Sequence, residues 1–369
     1  MIHNFKLRQY SKMVMQHIVL PCIYKIYCLK KIDKKLIVFA DAHHNEIPYS
    51  MKLLFQEVSK KDYTVVEHYY DYQKLSLVKL LKYINQFMQL YATAKYVVIC
   101  DNFLPISSCK KREGTRVIQL WHGAGILKKF AYDTNEDIPQ YYRGHMYANY
   151  DLVTVSSSCC VKVYEDAMRL NKGIVVPTGI SRTDNFFDND FLNECKQQFI
   201  KKYPDAKNKK IILWAPTFRG NAAFPHIVGK EIVDELESTL GKEYLIITKA
   251  HPHIDNWGIV SNCDIASERL LPVVDILITD YSTIIFEFML LKKPIILFVP
   301  DYYNFIKERG FYIDFKSIPG LWAETKEELI AAIKGVRNSS DDYKKFIGRY
   351  MEACDGNSTK RILDYIENS

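Results

Sequence analysis

The chain alternates short runs of apolar, often β-branched residues with longer helical stretches, and it does so twice. Continuous apolar strands separated by helices are typical of parallel sheets covered on both faces. The sequence therefore predicts an α/β fold with two doubly wound sheets. The predicted strands are 36–40, 63–66, 96–100, 116–121, 152–155 and 174–176 in the first half, and 211–215, 244–248, 276–279 and 294–299 in the second.

A polar helical segment, 184–210, separates the two sets of strands, and a length of 369 residues fits two domains. We predict an N-terminal segment at 1–32, Rossmann-like domains at 33–185 and 186–345, and a C-terminal helix at 346–369 that crosses back to the N-terminal domain. Two such domains favour a ligand cleft between them, at the carboxyl ends of the strands. This is the GT-B-like arrangement of nucleotide-diphosphate transferases, in which two Rossmann-like domains face each other.

The N-terminal segment carries most of the net charge of +7, because no acidic residue precedes Asp33. Its apolar run, 13–29, includes Pro21 and Lys25 and is short for a membrane span, which needs about 20 residues. A basic, apolar segment of this kind predicts an amphipathic helix lying in the plane of an anionic membrane surface. The alternative is a helix that packs on the domain core. No basic and aromatic groove for nucleic acid is present in the sequence.

Several function classes lack their motifs. The sequence has no Walker loop and no GxGxxG fingerprint, which disfavours ATP hydrolysis and hydride transfer. No carboxylate cluster indicates a metal, so we predict no cofactor and no obligatory metal. The nine cysteines include no CxxC pair, which indicates reduced thiols in a cytosolic protein.

Two histidines follow predicted strands. His122 precedes Gly123, and a histidine at a strand end suits a general base; the alternative is a structural histidine in a tight turn. His251 follows Lys249 and is held extended by Pro252. A histidine beside a lysine would stabilise phosphate charge.

Polar residues also follow two strands of the second half. Asp280, Ser282 and Thr283 open an apolar helix, and the start of a helix attracts anions. The alternative is an ordinary capped helix. Glu287 lies one turn further and would bind a hydroxyl or cap local donors. Arg219 would bind phosphate oxygens or form a surface ion pair.

These residues resemble the CDP-glycerol glycerophosphotransferase family of teichoic acid synthesis, over about residues 115–320. Because Ala124-Gly125 follows Gly123 and the chain is a single module, the resemblance is to the primase-like subgroup. The matching blocks are Gln119-Leu120-Trp121-His122-Gly123 with the lysines that follow, Trp214-Ala215-Pro216-Thr217-Phe218-Arg219, His251-Pro252 and Ile278-Thr279-Asp280-Tyr281-Ser282-Thr283; weaker blocks are 178–184 and 309–315.

The resemblance implies a glycerophosphotransferase that moves glycerol phosphate from CDP-glycerol to a lipid-linked disaccharide at the cytoplasmic face of the membrane, and releases CMP. The N-terminal domain would hold the acceptor, and the C-terminal domain the donor. The implied catalytic pair is His122 and His251. The expected donor-binding residues are Thr217, Arg219, Asp280, Ser282, Thr283 and Glu287, and the expected acceptor-binding residues are Asp41, His43, Asn45, Gly123 and Lys128.

Three alternatives to the primase remain open from the sequence. One is a poly(glycerol or ribitol phosphate) polymerase. Another is a related transferase with a different CDP or UDP donor. The last is a non-catalytic nucleotide-binding scaffold.

Overall fold

The structure, a computed structural model, describes residues 10, 13–135, 137–138, 142–220, 226–249, 263–336 and 340–369. The chain forms two compact units. The first comprises Met1–His122, Phe130–Asp184 and Ala353–Ser369, and the second comprises Gly123–Lys129 and Asn185–Glu352. Each unit contains one sheet, and all strand pairs in both sheets are parallel. The predicted α/β fold with two parallel sheets is confirmed.

The first unit contains a six-stranded sheet in the order β2-β1-β3-β4-β5-β6. Strand β1, between β2 and β3, is buried from Leu36 to Asp41, which explains the unbroken apolar run in the sequence. The strands are β1 (Asp33–Asp41), β2 (Thr64–Tyr69), β3 (Ala94–Ile99), β4 (Arg116–Gln119), β5 (Leu152–Thr154) and β6 (Val175–Val176). The helices along this part of the chain are α1 (Leu20–Tyr27), preceded by a π-helical turn at Met15–Val19, α2 (Tyr49–Val58), α3 (Leu77–Thr93), α4 (Leu104–Ser107) and α5 (Ser158–Met168), with 3-10 turns at Ala131–Asp133 and Ser181–Phe187.

The second unit contains a five-stranded sheet in the order β11-β10-β9-β7-β8. Its strands are β7 (Lys210–Ala215), β8 (Tyr244–Thr248), β9 (Ile276–Thr279), β10 (Ile295–Phe298) and β11 (Leu321–Ala323). The helices from Asn189 onward are α6 (Asn189–Lys202), α7 (Lys230–Leu240), α8 (Ser267–Leu270), α9 (Ile284–Leu290), α10 (Tyr302–Glu308), α11 (Lys326–Gly335), α12 (Ser340–Tyr350) and α13 (Ser358–Glu367), with 3-10 turns at Pro204–Asn208, Leu271–Val273 and Phe315–Ser317. The short edge strand β11 was not predicted from the sequence.

The C-terminal helix expected from the sequence is two helices, α12 and α13. Gly356, between them, has a φ of +86°, which an ordinary helix does not allow. Residues from Ala353 onward belong to the first unit, whereas α12 belongs to the second. The prediction of a single continuous helix was therefore wrong, because the sequence pattern did not indicate the left-handed conformation of Gly356.

The 178–184 block of the sequence anchors this C-terminal segment to the first unit. The carboxylate of Asp184 accepts hydrogen bonds from the backbone N–H groups of Ser358 (3.1 Å) and Thr359 (2.7 Å), at the start of α13. Gly179 has a φ of +81°, and a Cβ there would lie 2.2 Å from the carbonyl oxygen of Ala353. A glycine is therefore required at this position by both conformation and space.

The N-terminal helical segment, residues 13–29, packs one side on the rest of the first unit. Tyr24 is buried, contacts the ring of Tyr91 at a tilt with centroids 5.0 Å apart, and accepts a hydrogen bond from the N–H of Arg112. The segment also presents apolar side chains to solvent, at Val14, Ile18, Ile26 and Leu29. In the described part of the chain, no helix has both the length and the apolar character required to span a bilayer.

Candidate active site

His122 lies beside a carboxylate at the carboxyl end of the first sheet. Asp101 follows β3 and His122 follows β4, and these strands are paired neighbours. Nδ1 of His122 is 3.4 Å from Oδ2 of Asp101, within ion-pair range. The imidazole is 55% exposed, so substrate can reach it. The strand ends thus bring together a histidine and an acid that the sequence analysis did not pair.

The backbone before His122 is held in an unusual conformation. Trp121 has a φ of +59°, a left-handed value that is costly for a bulky residue. Its N–H donates to Oε1 of the fully buried Gln119 (2.9 Å), and the amide nitrogen of Gln119 donates to the carbonyl oxygen of Asp101 (2.9 Å). Gln119 therefore ties the two strand ends together. The Trp121 ring stacks against the imidazole of His122, with centroids 4.6 Å apart.

Arg182 supports the same turn from the other side. Its guanidinium is buried and donates to the carbonyl oxygen of His122 (3.0 Å) and to Oγ of Ser50 (2.9 Å). Fixing both the backbone and the ring of His122 reduces the reorganisation needed for proton transfer.

Asp41, at the end of β1, organises the loop that follows it. Its Oδ1 accepts hydrogen bonds from the N–H groups of His43 (2.7 Å) and His44 (2.8 Å) and contacts Nδ1 of His44 (2.8 Å). Burial raises the pKa of Asp41, but the bonds from His44 and His43 outweigh it and leave this pKa below its usual range. The bond to Asp41 raises the pKa of His44 despite partial burial. His43 and Asn45 are exposed, and Oδ1 of Asn45 accepts the N–H of Asp71 (3.0 Å).

Gly123 and Lys128, predicted to bind the acceptor, belong to the second unit. The close approach of Gly125 to Phe286 of the same unit accounts for this assignment. Gly125 has a φ of +65°, and a Cβ there would lie 2.6 Å from the Phe286 ring. Lys128 forms an antiparallel bridge with Phe311. Gly123 is buried and Lys128 is half-buried. Within the predicted 33–185 domain, the segment Gly123–Lys129 therefore belongs to the second unit.

In the second unit, Arg219 is the centre of a buried ionic network. Its Nε and Nη2 donate to the two carboxylate oxygens of Asp301 (2.6 and 3.0 Å), and Nη2 is 2.9 Å from Oδ2 of Asp280. Its Nη1 donates to the carbonyl oxygen of Thr217 (2.7 Å). Both the N–H and the hydroxyl of Thr217 donate to Oδ1 of Asp280 (2.8 and 2.7 Å).

This network gives Arg219 a role that the sequence did not specify. The guanidinium lies 4.9 Å from the ring centroid of Tyr281 and 4.8 Å from that of Phe305, and Arg219 is only 8% exposed. Burial lowers the pKa of Arg219, but the bonds to Asp301 and Asp280 outweigh it and raise this pKa. Of the two sequence alternatives, the structure shows an ion pair, in a buried rather than a surface position. Binding of donor phosphate by Arg219 stays a prediction.

Ser282, Thr283 and Glu287 lie at or near the start of α9, a helix of seven residues. Oγ of Ser282 accepts the N–H of Ile284 (3.3 Å), whereas Thr283, the residue that precedes the helix, makes no side-chain capping bond. Glu287 is buried in the first turn. His251 lies outside the described residues. Within the described ranges, no three His, Cys, Asp or Glu side chains are grouped as metal ligands.

Asp101 and Asp301 are the side chains that the sequence analysis missed. Each directly follows a buried strand, within two or three residues of its end. The rule that polar residues after parallel strands form sites applies to both of them. Their significance depends on partners distant in sequence, His122 and Arg219.

A family model described as CDP-Glycerol:Poly(glycerophosphate) glycerophosphotransferase matches residues 22–368. The chain belongs to this family. The match includes both strand-end clusters described above, at His122–Asp101 and at Arg219–Asp280–Asp301.

Curated members of the family with different products are similar to this chain. A teichoic acid poly(ribitol-phosphate) polymerase of Bacillus spizizenii is 32% identical over 363 residues, which are 93% of this chain and 58% of that protein. A teichoic acid glycerol-phosphate primase of Bacillus subtilis is 34% identical over 293 residues, 74% of this chain and 73% of that protein. The chain therefore spans little more than half of the polymerase.

A solved structure supports the fold of this family member. The wall teichoic acid polymerase TagF, in a variant soaked with CDPG, matches with a TM-score of 0.75 and 22% identity, covering 100% of this chain and 98% of that one. This likeness agrees with the GT-B-like fold class predicted from the sequence.

Proposed function

We propose that this protein is a glycerophosphotransferase that moves sn-glycerol phosphate from CDP-glycerol to a ManNAc-GlcNAc-diphosphoundecaprenol acceptor and releases CMP. The observation that carries the proposal is the His122–Asp101 pair in a chain that matches the glycerophosphotransferase family over residues 22–368. The glycerol-phosphate primase relative and the CDPG soak of TagF support this choice of reaction and donor.

In the proposed reaction, a hydroxyl of the acceptor sugar attacks the glycerol-bearing phosphorus of the donor. The new P–O bond forms as the bond to the CMP oxygen breaks. His122 takes the hydroxyl proton on Nε2, since Nδ1 faces Asp101. The Asp101 carboxylate then lies beside the imidazolium that forms. This matches the use of a positioned base with an orienting acid in other transferases and hydrolases.

The donor is proposed to bind the second unit, and no metal or other cofactor is proposed. His251 would stabilise charge on the transferring phosphoryl group, with Ser282 and Thr283 near the leaving phosphate. Thr217 and Asp280 are held by Arg219 in one network, so they would shape this region together. Positioning and charge stabilisation account for most catalysis of phosphoryl transfer.

A polymerase that uses a CDP-activated polyol is the second candidate. The similarity to a poly(ribitol-phosphate) polymerase over 93% of this chain favours it. The two candidates share the attack on the donor phosphorus and differ in the acceptor and in the number of units added.

The protein is also proposed to act at the cytoplasmic face of the cell membrane as a peripheral protein. The exposed apolar side chains of the N-terminal helical segment support this, together with the basic residues of that segment. An amphipathic helix of this kind lies in the interface, with its apolar side chains in the lipid.

Mass analysis of products tests the proposed function. The purified chain is incubated with a soluble lipid-linked disaccharide analogue and either CDP-glycerol or CDP-ribitol. A single added glycerol phosphate with release of CMP is the expected result. A ladder of products would establish the polymerase, ribitol phosphate in the product would change the donor, and no product from either donor would overturn the proposal.

A further inference from the structure

Two buried polar atoms without partners lie at the carboxyl end of the first sheet. They are Oη of Tyr69, at the end of β2, and Oδ1 of Asn102, which follows β3. Neither has a hydrogen-bond partner among the residues that the structure describes. Leaving a buried polar group unsatisfied is costly, so each such atom in a native structure requires an explanation, and a bound molecule is one.

Tyr69 belongs to a group of side chains on one face of the sheet. It pairs in register with Asp41 on β1, so both side chains point to the same face. Sγ of Cys100 lies 3.8 Å from Oδ2 of Asp41 on that face. Burial, followed by the charges of Glu67, Cys100 and Asp41, raises the pKa of the Tyr69 hydroxyl. Tyr69 is therefore a hydrogen-bond donor at neutral pH.

Asp41 has one carboxylate oxygen that is only weakly engaged. Its Oδ1 accepts hydrogen bonds from three nitrogen atoms of the loop, whereas Oδ2 is contacted by the thiol of Cys100, a weak donor. This oxygen can accept a hydrogen bond from a ligand hydroxyl.

Asn102 extends the same strand-end region toward the His122 pair. Its N–H donates to Oδ1 of Asp101 (2.6 Å), the carboxylate that faces His122 through Oδ2. Its unpartnered atom is an amide oxygen, which only accepts hydrogen bonds.

The chemistry of these groups selects a class of ligand. Two carboxylates and an amide oxygen accept hydrogen bonds, and the Tyr69 hydroxyl donates one. Acceptors of this kind repel a diphosphate, but they bind the hydroxyl groups of a neutral sugar or polyol. We propose that Tyr69 and Asn102 recognise the acceptor through hydroxyl or acetamido groups of its sugar ring. This proposal rests on the proposed function, because it places the acceptor beside His122.

Removal of single polar groups tests the proposal. Tyr69→Phe and Asn102→Ala are compared with Tyr70→Phe, whose ring stacks on Tyr83 with centroids 3.6 Å apart. Steady-state kinetics with the soluble acceptor analogue give KM for acceptor and donor, and thermal unfolding gives Tm. We expect acceptor KM to rise about tenfold in Tyr69→Phe and Asn102→Ala, the effect of one lost hydrogen bond. Donor KM should stay within about twofold, and Tyr70→Phe should behave as wild type.

Acceptor KM separates recognition from a structural role, because Tyr69→Phe removes no hydrogen bond of the free protein and should leave Tm unchanged or raised in either case. An acceptor KM that is unchanged in Tyr69→Phe would show that the hydroxyl serves no ligand. That result would overturn the proposal. Should wild type show no turnover, the proposed function fails. Binding of a neutral N-acetylhexosamine disaccharide, followed by NMR, then decides the inference: binding that weakens in Tyr69→Phe supports it, and absence of binding to wild type contradicts it.

Discussion

The Nδ1 atom of His122 lies 3.4 Å from Oδ2 of Asp101, and the two residues follow neighbouring parallel strands. Gln119 connects the same two strand ends through hydrogen bonds to the carbonyl of Asp101 and the N–H of Trp121. His122 is therefore held by the Asp101 carboxylate, by the backbone that Gln119 fixes, and by the stacked ring of Trp121. This is the arrangement expected of a base whose other nitrogen is kept free for substrate.

Replacing the carboxylate should slow the chemical step without weakening donor binding. We expect Asp101→Asn to lower kcat by about 10- to 100-fold, because the imidazole loses its orienting acid. The KM for CDP-glycerol should stay near that of wild type. Stopped assays of CMP release measure both, with Asp166→Asn, in an exposed pair with Lys162, as the control. A large rise in donor KM with unchanged kcat would contradict this role for Asp101.

Arg219 should matter for stability as well as for donor binding. In Arg219→Met, the carboxylates of Asp301 and Asp280 would remain buried without their cation. Removing one partner of a buried ion pair costs about 3–5 kcal/mol of folding stability, so we expect a clearly lower Tm. Lys230→Met, which removes a more exposed pair with Asp234, is the matched control. An Arg219→Met protein with unchanged Tm and only a raised donor KM would show a direct phosphate contact instead.

His68 predicts a pH dependence of stability in the first unit. It is 1% exposed, and burial lowers its pKa to about 4. Below about pH 6.5, the ordinary pKa of histidine, His68 binds a proton in the unfolded chain but stays neutral in the folded chain until about pH 4. The free energy of unfolding therefore falls as the pH drops toward about 4. This group alone should reduce the free energy of unfolding by roughly 2 kcal/mol between pH 7 and pH 4.5.

Urea unfolding of His68→Gln and wild type at the two pH values isolates that contribution. The variant side chain stays neutral throughout, so its loss of stability on acidification should be smaller by the stated amount. Equal losses in the two proteins would show that His68 does not titrate as its burial requires.

The N-terminal helical segment should determine membrane association. Ile18 and Leu29 are 59% and 88% exposed, respectively. We expect Ile18→Glu and Leu29→Glu together to reduce co-flotation with vesicles containing anionic lipid by at least about tenfold, since charged groups are costly in the apolar layer. Lys162→Glu, on the exposed side of α5, controls for net charge. If the double variant floats with the vesicles as well as wild type does, Ile18 and Leu29 do not determine membrane binding.

Much of the fold follows from the sequence because parallel strands that are buried on both faces consist of unbroken apolar runs. The strands at 244–248 and 276–279 have the predicted bounds. The break between α12 and α13 was missed because it depends on the left-handed Gly356 and on Asp184, which is far away in sequence. Strand-end rules located His122 and Asp280. They did not reveal the pairing of His122 with Asp101, or that Arg219 is buried between two acids, because such contacts depend on sheet order.

The most direct test of the account is CMP release from CDP-glycerol by His122→Ala, measured with the acceptor analogue under single-turnover conditions. The account predicts at least about a hundredfold loss of rate, with CDP-glycerol still bound, since a positioned base contributes that much. A His122→Ala protein that turns over within about twofold of wild type would contradict the assignment of His122 as the base, and with it the proposed mechanism.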